Sequence, residues 1–287
     1  MDFLNQGNYA LSDNLILKNG AIPLTWWTVS PNFGDLLSPY LVEKMTSKPV
    51  VSINLRPGSK GKLKFLNFSK TEPSYLAIGS IISRAKSNSI VWGSGAFGTE
   101  GKKTLAKDAK YLAVRGPLTR NLLRIHGIQC PDVYGDPALL IPQVFNPKVQ
   151  KKYKVGVILR WSETDWHNTE SDNNVKKINF GTDDIEGTLI DILSCEKIFS
   201  SSLHGLIIAD AYGIPSAWLS STTPKGLEFK FYDYFLSINK TQKPQTFDFS
   251  GDKLTYENLR QKIHFNDNAI EFDSAKLLAA CPFIDPR

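Results

Sequence analysis

KIFSSSLHGLIIADAYGIPSAWL, residues 197–219, is the stretch of sequence that decides the fold. Lys197–Ser200 has the short β-branched and aromatic composition that is typical of a buried strand. Leu203–Tyr212 is predicted to form a helix that ends at Gly213, and Pro215–Leu219 is predicted to form the next strand. A strand, a helix and a second strand in this order indicate a parallel sheet flanked by helices.

The same alternation extends along the chain on both sides of a linker at 141–154, which contains prolines and lysines. Further strands are predicted at Val50–Ile53, Tyr75–Ile78, Ser89–Trp92, Tyr111–Val114 and Lys154–Leu159, and helices at Asp183–Ser194, Tyr256–His264 and Ala269–Ala280. We therefore expect an α/β protein with two Rossmann-like domains facing a cleft. One domain covers residues 1–145 and the other residues 150–287.

Composition excludes several classes of protein. The 287 residues include 34 Lys and Arg against 28 Asp and Glu, a net charge of +6 that is scattered, so no nucleic-acid partner is expected. The longest apolar runs are shorter than the ~20 residues that cross a bilayer. The N-terminus begins with acidic Asp2 and shows no signal-like run, which predicts a cytoplasmic protein with at most peripheral contact to the inner face of the membrane.

Metal and disulfide chemistry are not expected. The 3 cysteines are Cys130, Cys195 and Cys281, an odd number with spacings that fit neither a disulfide framework nor a zinc site. Acidic Asp183, Asp184 and Glu186 fall in the first turn of a predicted helix, where they complement the helix dipole. We therefore predict free thiols and no metal.

Polar side chains gather in three segments where a helix is predicted to begin. The segments are Asn32-Phe33-Gly34-Asp35, Val114-Arg115-Gly116-Pro117 and Ser200-Ser201-Ser202-Leu203-His204. Asp35 or Ser38 is the predicted cap of the first helix, and the serines are the predicted cap of the third. Each segment alone is compatible with ordinary capping. Three of them at one edge of a parallel sheet favour an anion site, because helix N-termini there offer free N–H groups.

Two residues in these segments have the chemistry of a reacting group. Arg115 ends a predicted strand, where its guanidinium can grip a phosphate or carboxylate with two hydrogen bonds. His204 lies in the first turn of its helix, where the dipole lowers the pKa and keeps the imidazole neutral near pH 7. Arg115 is therefore a candidate to bind an anion, and His204 is a candidate to exchange a proton.

The glycine-rich segment Gly93-Ser94-Gly95-Ala96-Phe97-Gly98 matches the dinucleotide fingerprint G-x-G-x-x-G. No amphipathic helix opens at Gly98, and the next strand ends in Arg115 rather than an acidic residue. We therefore predict a glycine turn whose backbone approaches a ligand, with Gly93 and Ser94 as binding residues.

Taken in order, the motifs of this chain resemble those of the polysaccharide pyruvyl transferases. The motifs are Asn32-Phe33-Gly34-Asp35, Ala77-Ile78-Gly79-Ser80, Val91-Trp92-Gly93-Ser94-Gly95, Val114-Arg115-Gly116-Pro117, Gly135-Asp136-Pro137-Ala138, Ser201-Ser202-Leu203-His204-Gly205 and Ala211-Tyr212-Gly213-Ile214-Pro215. The resemblance implies a fold like that of GT-B glycosyltransferases, with an acceptor side in the N-terminal domain and a donor side in the C-terminal domain. It also implies that pyruvate moves from phosphoenolpyruvate onto a sugar as a ketal, without a further cofactor.

The resemblance further implies a role in capsule, exopolysaccharide or other cell-envelope glycan assembly. The acceptor would be a sugar, an oligosaccharide or a lipid-linked glycan. By position, Arg115 matches the family's donor-binding arginine and His204 its catalytic histidine. The resemblance thus implies that both are catalytic, and that Arg115→Ala chiefly weakens donor binding. Many members carry Arg-Leu-His where this chain has Ser202-Leu203-His204, so one cation beside the donor is missing. We predict that Arg160 and Lys230 supply the compensating charge, although a solvated surface position is the alternative for each.

The predicted substrate-binding residues are Asn32, Asp35, Gly93, Ser94, Arg160, Ser201, Ser202, Leu203 and Lys230. Trp27, Trp92 and Trp161 offer flat faces to a sugar, with buried packing as the alternative. Two other functions use the same expected fold. A glycosyltransferase would bind a nucleotide sugar in the cleft, and a glycan-binding protein without catalysis would be indifferent to the loss of His204.

Overall fold

The computed structural model of the chain describes residues 3–4, 7–53, 73–160, 162–163, 166, 169–221 and 228–287. Its strands are β1 (Tyr9–Leu11), β2 (Ile22–Thr25), β3 (Val50–Ser52), β4 (Ser74–Leu76), β5 (Ser89–Trp92), β6 (Lys110–Ala113), β7 (Val155–Ile158), β8 (Val175–Ile178), β9 (Ile198–Ser200), β10 (Ser216–Trp218) and β11 (Ile284–Pro286). Its α-helices are α1 (Phe33–Thr46), α2 (Pro117–Ile125), α3 (Ile141–Val144), α4 (Ile185–Leu193), α5 (Leu203–Ala211), α6 (Phe229–Ser237), α7 (Tyr256–Lys262) and α8 (Ser274–Ala279).

Two parallel sheets organise the fold. The first has the strand order β3-β2-β4-β5-β6 and the second has the order β10-β9-β7-β8. Neighbouring strands in both run parallel, which confirms the predicted α/β class. The strand–helix–strand unit predicted at 197–219 is present as β9, α5 and β10, and β9 pairs in parallel with β10 and β7.

The sequence analysis did not predict strands β2 and β8. The composition of each strand explains why. β2 is a fully buried strand with neighbours on both sides, and it contains Pro23, which ordinarily argues against an interior strand. β8 carries Lys176 and Lys177, which disguise it as a polar segment. It lies at the edge of the second sheet, where charged side chains are common because they discourage pairing with another chain.

The C-terminal segment packs against the first sheet. β11 pairs antiparallel with β1, and the Phe283 ring lies 4.8 Å from the Tyr75 ring and 5.8 Å from the Trp92 ring. The Trp92 Nε1–H donates to the Leu277 carbonyl at 2.9 Å. Trp92 is therefore a core residue rather than a face for a sugar, and the chain returns to its first half before it ends. The domain boundaries remain a prediction.

Buried thiols and helix lengths complete the description of the fold. Cys130, Cys195 and Cys281 are free and buried. No group of three His, Cys, Asp or Glu side chains arranged to hold a metal ion occurs among the residues that the structure describes. Within the same residues, no helix combines the length and the apolar character that a membrane crossing requires.

Candidate active site

A cavity of about 340 Å³ opens where strands of both sheets reach their carboxyl ends. Open α/β sheets bind ligands at this edge, and the volume lies in the range of small-molecule sites, about 300–1,000 Å³. The first half of the chain lines the cavity with Trp27, Asn32, Asp35, Ser80, Ile81, Ser83, Arg84 and Phe97. The second half lines it with Arg160, Ser202, Leu203, His204 and Lys230.

Most of the residues predicted from the sequence meet in this cavity. Those that line it are Asn32, Asp35, Arg160, Ser202, Leu203, His204, Lys230 and the aromatic Trp27. Four other predicted residues are buried and do not line the cavity, namely Arg115, Gly93, Ser94 and Ser201. Trp161, the third tryptophan considered for sugar contact, falls outside the described residues.

The first helix presents Asn32 and Asp35 to the cavity. α1 begins earlier than expected, because its cap is Asn32 rather than Asp35 or Ser38, and the Gly34 N–H donates to Asn32 Oδ1 at 3.2 Å. The Asn32 amide donates to Asp35 Oδ2 at 2.6 Å, which fixes the carboxylate in the first turn. Burial raises the pKa of Asp35 to about 6, although the Asn32 bond and nearby cations oppose the rise.

Helix α5 presents His204 to the cavity, but the serines before it do not cap the helix as predicted. Ser202 occupies the cap position and its side chain makes no cap hydrogen bond. The Ser200 hydroxyl instead accepts from the Ser202 N–H and donates to the Ser202 carbonyl, at 3.0 Å each. The first turn of α5 therefore reaches the cavity through Ser202, Leu203 and His204 without a capping side chain in front of it.

The His204 ring is held in a narrow space, and its side chain is 14% exposed. A Cβ atom on Gly34 would lie 2.2 Å from His204 Nδ1, so only glycine at this position leaves room for the ring. The other nitrogen, Nε2, lies 4.0 Å from Asp136 Oδ2. Burial lowers the pKa of His204 to about 3, and the charges of Lys230 and Arg115 add to the effect. The imidazole is neutral, as predicted, with burial as the largest cause.

Three cations of the described residues reach the cavity: Arg84, Arg160 and Lys230. Arg160 Nη1 is buried and has no hydrogen-bond partner among the described residues. The Arg84 guanidinium lies over the Trp27 ring, 5.0 Å from its centroid. Burial lowers the pKa of Lys230 to about 7, with further lowering by Arg160 and Arg115. These three side chains give the cavity positive charge that its protein neighbours only partly offset.

Ser201 supports Arg160 from behind. The Arg160 backbone N–H donates to Ser201 Oγ at 3.0 Å, and the Ser201 hydroxyl donates to Glu163 Oε2 at 2.6 Å. Ser201 is fully buried, so its hydroxyl fixes the end of β7 rather than contacting a ligand. Ser201, which was predicted to bind the substrate, instead supports Arg160, which lines the cavity.

Arg115 is enclosed in the protein, and its guanidinium already has partners. Its Nε donates to Asp233 Oδ2 at 3.0 Å, Nη1 donates to Ser80 Oγ at 2.8 Å and Nη2 donates to the Ala96 carbonyl at 2.7 Å. Neither Arg115 nor Asp233 side chain is exposed. Arg115 reaches the cavity only through Ser80, which lines it. The direct grip on an anion expected from the sequence does not exist in this arrangement.

The glycine turn serves packing within the protein. A Cβ on Gly95 would lie 2.2 Å from Arg115 Cζ, and one on Gly93, whose φ is +89°, would lie 2.3 Å from Pro137 Cδ. The Ser94 hydroxyl donates to the Ala77 carbonyl at 2.7 Å. The backbone does approach another group closely, as predicted, but that group is Arg115 or Pro137 rather than a ligand.

Several lining residues were not predicted from the sequence, and neither was Asp136, a buried residue that lies next to His204. The missed lining residues are Ser80, Ile81, Ser83, Arg84 and Phe97. Arg84 ends a short 3-10 turn, Ile82–Arg84, that follows β4, and nothing in its local sequence distinguishes it from a surface arginine. Asp136 stands in the motif Gly135-Asp136-Pro137-Ala138, which could have drawn attention to it.

Comparisons with known proteins bear on this site. The family model described as polysaccharide pyruvyl transferase matches residues 55–223, more than half of the chain. The chain is 28% identical over 225 residues to uncharacterized protein L143 of Acanthamoeba polyphaga mimivirus, covering 75% of this chain and 73% of that protein. It is 26% identical over 239 residues to the succinoglycan biosynthesis protein ExoV of Rhizobium meliloti (strain 1021), covering 78% of this chain and 66% of that protein. A crystal structure of a protein from Klebsiella pneumoniae aligns with a TM-score of 0.48 and 12% identity, over 80% of this chain and 94% of that one.

Proposed function

The chain belongs to the polysaccharide pyruvyl transferase family, and from this premise we propose that it moves the pyruvyl group of phosphoenolpyruvate onto two hydroxyls of a sugar, forming a ketal. The observation that carries the proposal is the meeting of Arg84, Arg160 and Lys230 with His204 in one cavity. The similarity to a protein of succinoglycan biosynthesis supports a role in assembling an exopolysaccharide, capsular or other cell-envelope glycan.

The positive charge of the cavity suits this donor. Phosphoenolpyruvate carries a phosphate and a carboxylate, and burying both requires cations that also donate hydrogen bonds. Arg160 offers a buried Nη1 without a protein partner among the described residues, and Arg84 and Lys230 stand around the same space. They supply the charge that Ser202 does not supply. Arg84 is an addition to the cations predicted from the sequence.

The reaction joins two hydroxyls to one carbon. A sugar hydroxyl adds to C2 of the enol while C3 gains a proton and becomes a methyl group. The bond between C2 and the phosphate oxygen breaks, the second hydroxyl adds to C2, and its proton leaves with inorganic phosphate. His204 is the lining residue that can carry a proton between hydroxyl and carbon, because imidazole both accepts and donates.

The charge of the donor itself prepares His204 for this role. Burial, together with the charges of Lys230 and Arg115, lowers the pKa of His204 and keeps the ring neutral. The donor anions offset these cations and so raise that pKa. The imidazole can therefore hold a proton transiently during turnover, which suits it to deliver that proton to C3.

The acceptor sugar fits the opposite wall of the cavity. Asn32 and Asp35 provide an amide and a carboxylate that can orient hydroxyls, and Trp27 and Phe97 provide apolar faces. The pKa of Asp35 near 6 leaves the carboxylate ionised at neutral pH and able to accept hydrogen bonds from hydroxyls. We place the acceptor on the side of the first sheet and the donor on the side of the second.

The wider arrangement follows from the same proposal. We propose that the two sheets belong to domains 1–145 and 150–287 arranged as in GT-B enzymes, with no cofactor besides the donor substrate. The protein would act in the cytoplasm, with peripheral contact to the inner face of the membrane where lipid-linked acceptors are found.

The donor can be identified by thermal unfolding of the protein with phosphoenolpyruvate and, separately, with a panel of sugar nucleotides. A ligand at about 100 times its Kd adds about 2.7 kcal/mol of stability, and each kcal/mol raises the midpoint by about 2–4 °C for a protein of this size. We expect phosphoenolpyruvate alone to raise the midpoint, and Arg160→Met to reduce the rise because it removes a cation from the cavity wall.

Arg124→Met is the matched control, since Arg124 is an exposed residue of α2 away from the cavity. Its response to phosphoenolpyruvate should equal that of the wild type. A rise with a sugar nucleotide and none with phosphoenolpyruvate would identify a glycosyltransferase and overturn the proposed donor.

Donor binding is also expected to take up a proton at Lys230. Burial and the charges of Arg160 and Arg115 lower its pKa to about 7. Donor anions beside the amine raise this pKa, so at pH 8 the largely neutral amine becomes protonated on binding. Below pH 6 the amine is already charged and contributes no uptake.

Isothermal titration calorimetry of phosphoenolpyruvate at pH 8, in buffers of different ionisation enthalpy, measures this uptake. Lys230→Met should abolish most of it, whereas Lys243→Met, at an exposed position, should leave it intact. Equal uptake in the wild type and in Lys230→Met would assign the proton to another group.

A further inference from the structure

Two buried polar atoms face each other beside the cavity. Asp136 Oδ2 and His204 Nε2 are 4.0 Å apart, and neither has a hydrogen-bond partner in the part of the chain that the structure describes. About nine in ten buried polar groups in proteins are hydrogen-bonded, because an unpaired one loses its interactions with water without replacement. Two unpaired atoms of complementary chemistry at this separation indicate a bond that forms in another state of the site.

A hydrogen bond to Oδ1, the second carboxylate oxygen of Asp136, holds this side chain in place. Asp136 caps the short helical turn 137–140, and the Ala138 N–H donates to its Oδ1 at 3.0 Å. The residue is fully buried. Pro137 is packed on Gly93, where any side chain would collide with it. Oδ2 is therefore directed at the imidazole by a rigid turn and not by a mobile side chain.

The imidazole is fixed from two sides as well. His204 lies in the first turn of α5, and α5 packs on the turn that Asp136 caps. Gly34 contacts the ring next to Nδ1, where it leaves no room for a Cβ. A small shift of either element closes the distance between Nε2 and Oδ2, since hydrogen bonds between catalytic groups are often long in the absence of substrate.

We propose that Asp136 is the positioning residue of His204: its Oδ2 accepts the Nε2–H of the imidazole, which fixes the tautomer and leaves Nδ1 to exchange the proton. A carboxylate that orients a histidine in this way selects the tautomer and stabilises the imidazolium that forms during reaction. The assignment to proton transfer rests on the proposed function, but the pairing itself does not.

The surroundings of Asp136 and His204 favour an ionised carboxylate and a neutral imidazole at neutral pH. Burial raises the pKa of Asp136 to about 6, the Ala138 bond and Arg115 oppose the rise, and Asp233 adds to it. Burial and Asp210 raise the pKa of Tyr234, and the charge of Asp136 adds to the rise. Around His204, burial and then the cations Lys230 and Arg115 lower the pKa. Above pH 6 the pair is thus a carboxylate next to a neutral ring, which can donate one N–H.

The tautomer of His204 in the full-length protein tests the pairing without any substrate. We expect imidazole ¹⁵N shifts to show the Nε2–H form in the wild type, with the His204 signal among the 4 histidines identified by its loss in His204→Gln. In Asp136→Asn the amide oxygen keeps the bond to Ala138, because Asn is as good a cap as Asp. Its NH₂ group then points at Nε2, which must accept, and the ring should switch to the Nδ1–H form.

Kinetics test the positioning role. Asp136→Asn should lower kcat by about 10²- to 10⁴-fold, the range expected when a catalytic histidine is held in the wrong tautomer. The KM for phosphoenolpyruvate should change little, because Asp136 does not line the cavity. Asp184→Asn is the control, since Asp184 caps α4 by the same kind of bond, from the Gly187 N–H at 3.0 Å, at an exposed position that does not line the cavity. It should leave both the tautomer and kcat unchanged.

A wild-type His204 in the Nδ1–H form, or a tautomer that is the same in Asp136→Asn, would overturn the pairing even if Asp136→Asn failed to turn over substrate. A tautomer switch in a protein that does not consume phosphoenolpyruvate would support the pairing and contradict the proposed function. The experiments can therefore contradict the pairing of Asp136 with His204 without contradicting pyruvyl transfer, and the reverse.

Discussion

Replacing His204 by alanine is expected to lower pyruvyl transfer by about 10²–10⁴-fold, the contribution of a positioned acid–base group. His204 lines the cavity, and its imidazole can both accept and donate a proton once the donor anions raise its pKa. The loss should appear in kcat, measured as release of inorganic phosphate from phosphoenolpyruvate in the presence of a sugar acceptor.

The fold should survive this substitution. His204 Nε2 is buried without a hydrogen-bond partner among the described residues, so removing the ring also removes an uncompensated polar group. The unfolding midpoint of His204→Ala should therefore stay close to that of the wild type. His264→Ala, at an exposed position, serves as the matched control and should keep full turnover.

Added imidazole should restore part of the turnover of His204→Ala, because the vacated space adjoins the cavity. Retained turnover without imidazole would remove His204 from the chemistry and would favour a binding protein over an enzyme.

Replacing Arg115 by methionine is expected to destabilise the protein by about 3–5 kcal/mol, the usual cost of breaking a buried ion pair by removing one partner. Arg115 and Asp233 are both fully buried, 3.0 Å apart. After the substitution the Asp233 carboxylate keeps its bonds from Thr119 but lacks a cation, and the Ala96 carbonyl and Ser80 hydroxyl lose their donor. The unfolding midpoint should fall by about 10 °C.

This expectation differs from the prediction drawn from the sequence, in which the loss of Arg115 chiefly weakens donor binding. In the structure the guanidinium contacts the cavity only through Ser80, so the effect on donor affinity should be indirect and secondary to the loss of stability. Arg124→Met, at an exposed position of the neighbouring helix, should leave the midpoint unchanged.

An unchanged midpoint in Arg115→Met together with weaker binding of phosphoenolpyruvate would restore the direct role. It would mean that the guanidinium leaves Asp233 when the donor is present. Calorimetric titration and thermal unfolding of the same variant separate these outcomes.

The sequence predicted regular elements well where local chemistry agrees with the tertiary structure. β5 has the predicted bounds, and α2 begins at Pro117, in a segment where the start of a helix was predicted. Predictions failed where a local preference was overridden, as in β2 with its proline. The cap of α1 was misplaced because Asn32, Asp35 and Ser38 are all good caps, and only the hydrogen bond to Gly34 distinguishes them.

The sequence by itself determined the α/β class and the edge of the sheets where polar side chains meet, because strand and helix periods and the glycines that end helices are local properties. It also predicted binding or catalytic roles for His204, Asp35, Arg160 and Lys230, all of which line the cavity. The tertiary structure alone decided that Arg115 faces Asp233, that Arg84 joins the cavity and that Asp136 faces His204. These pairings join residues far apart in the chain, and the direction of a buried side chain depends on the charges and space that distant segments place around it.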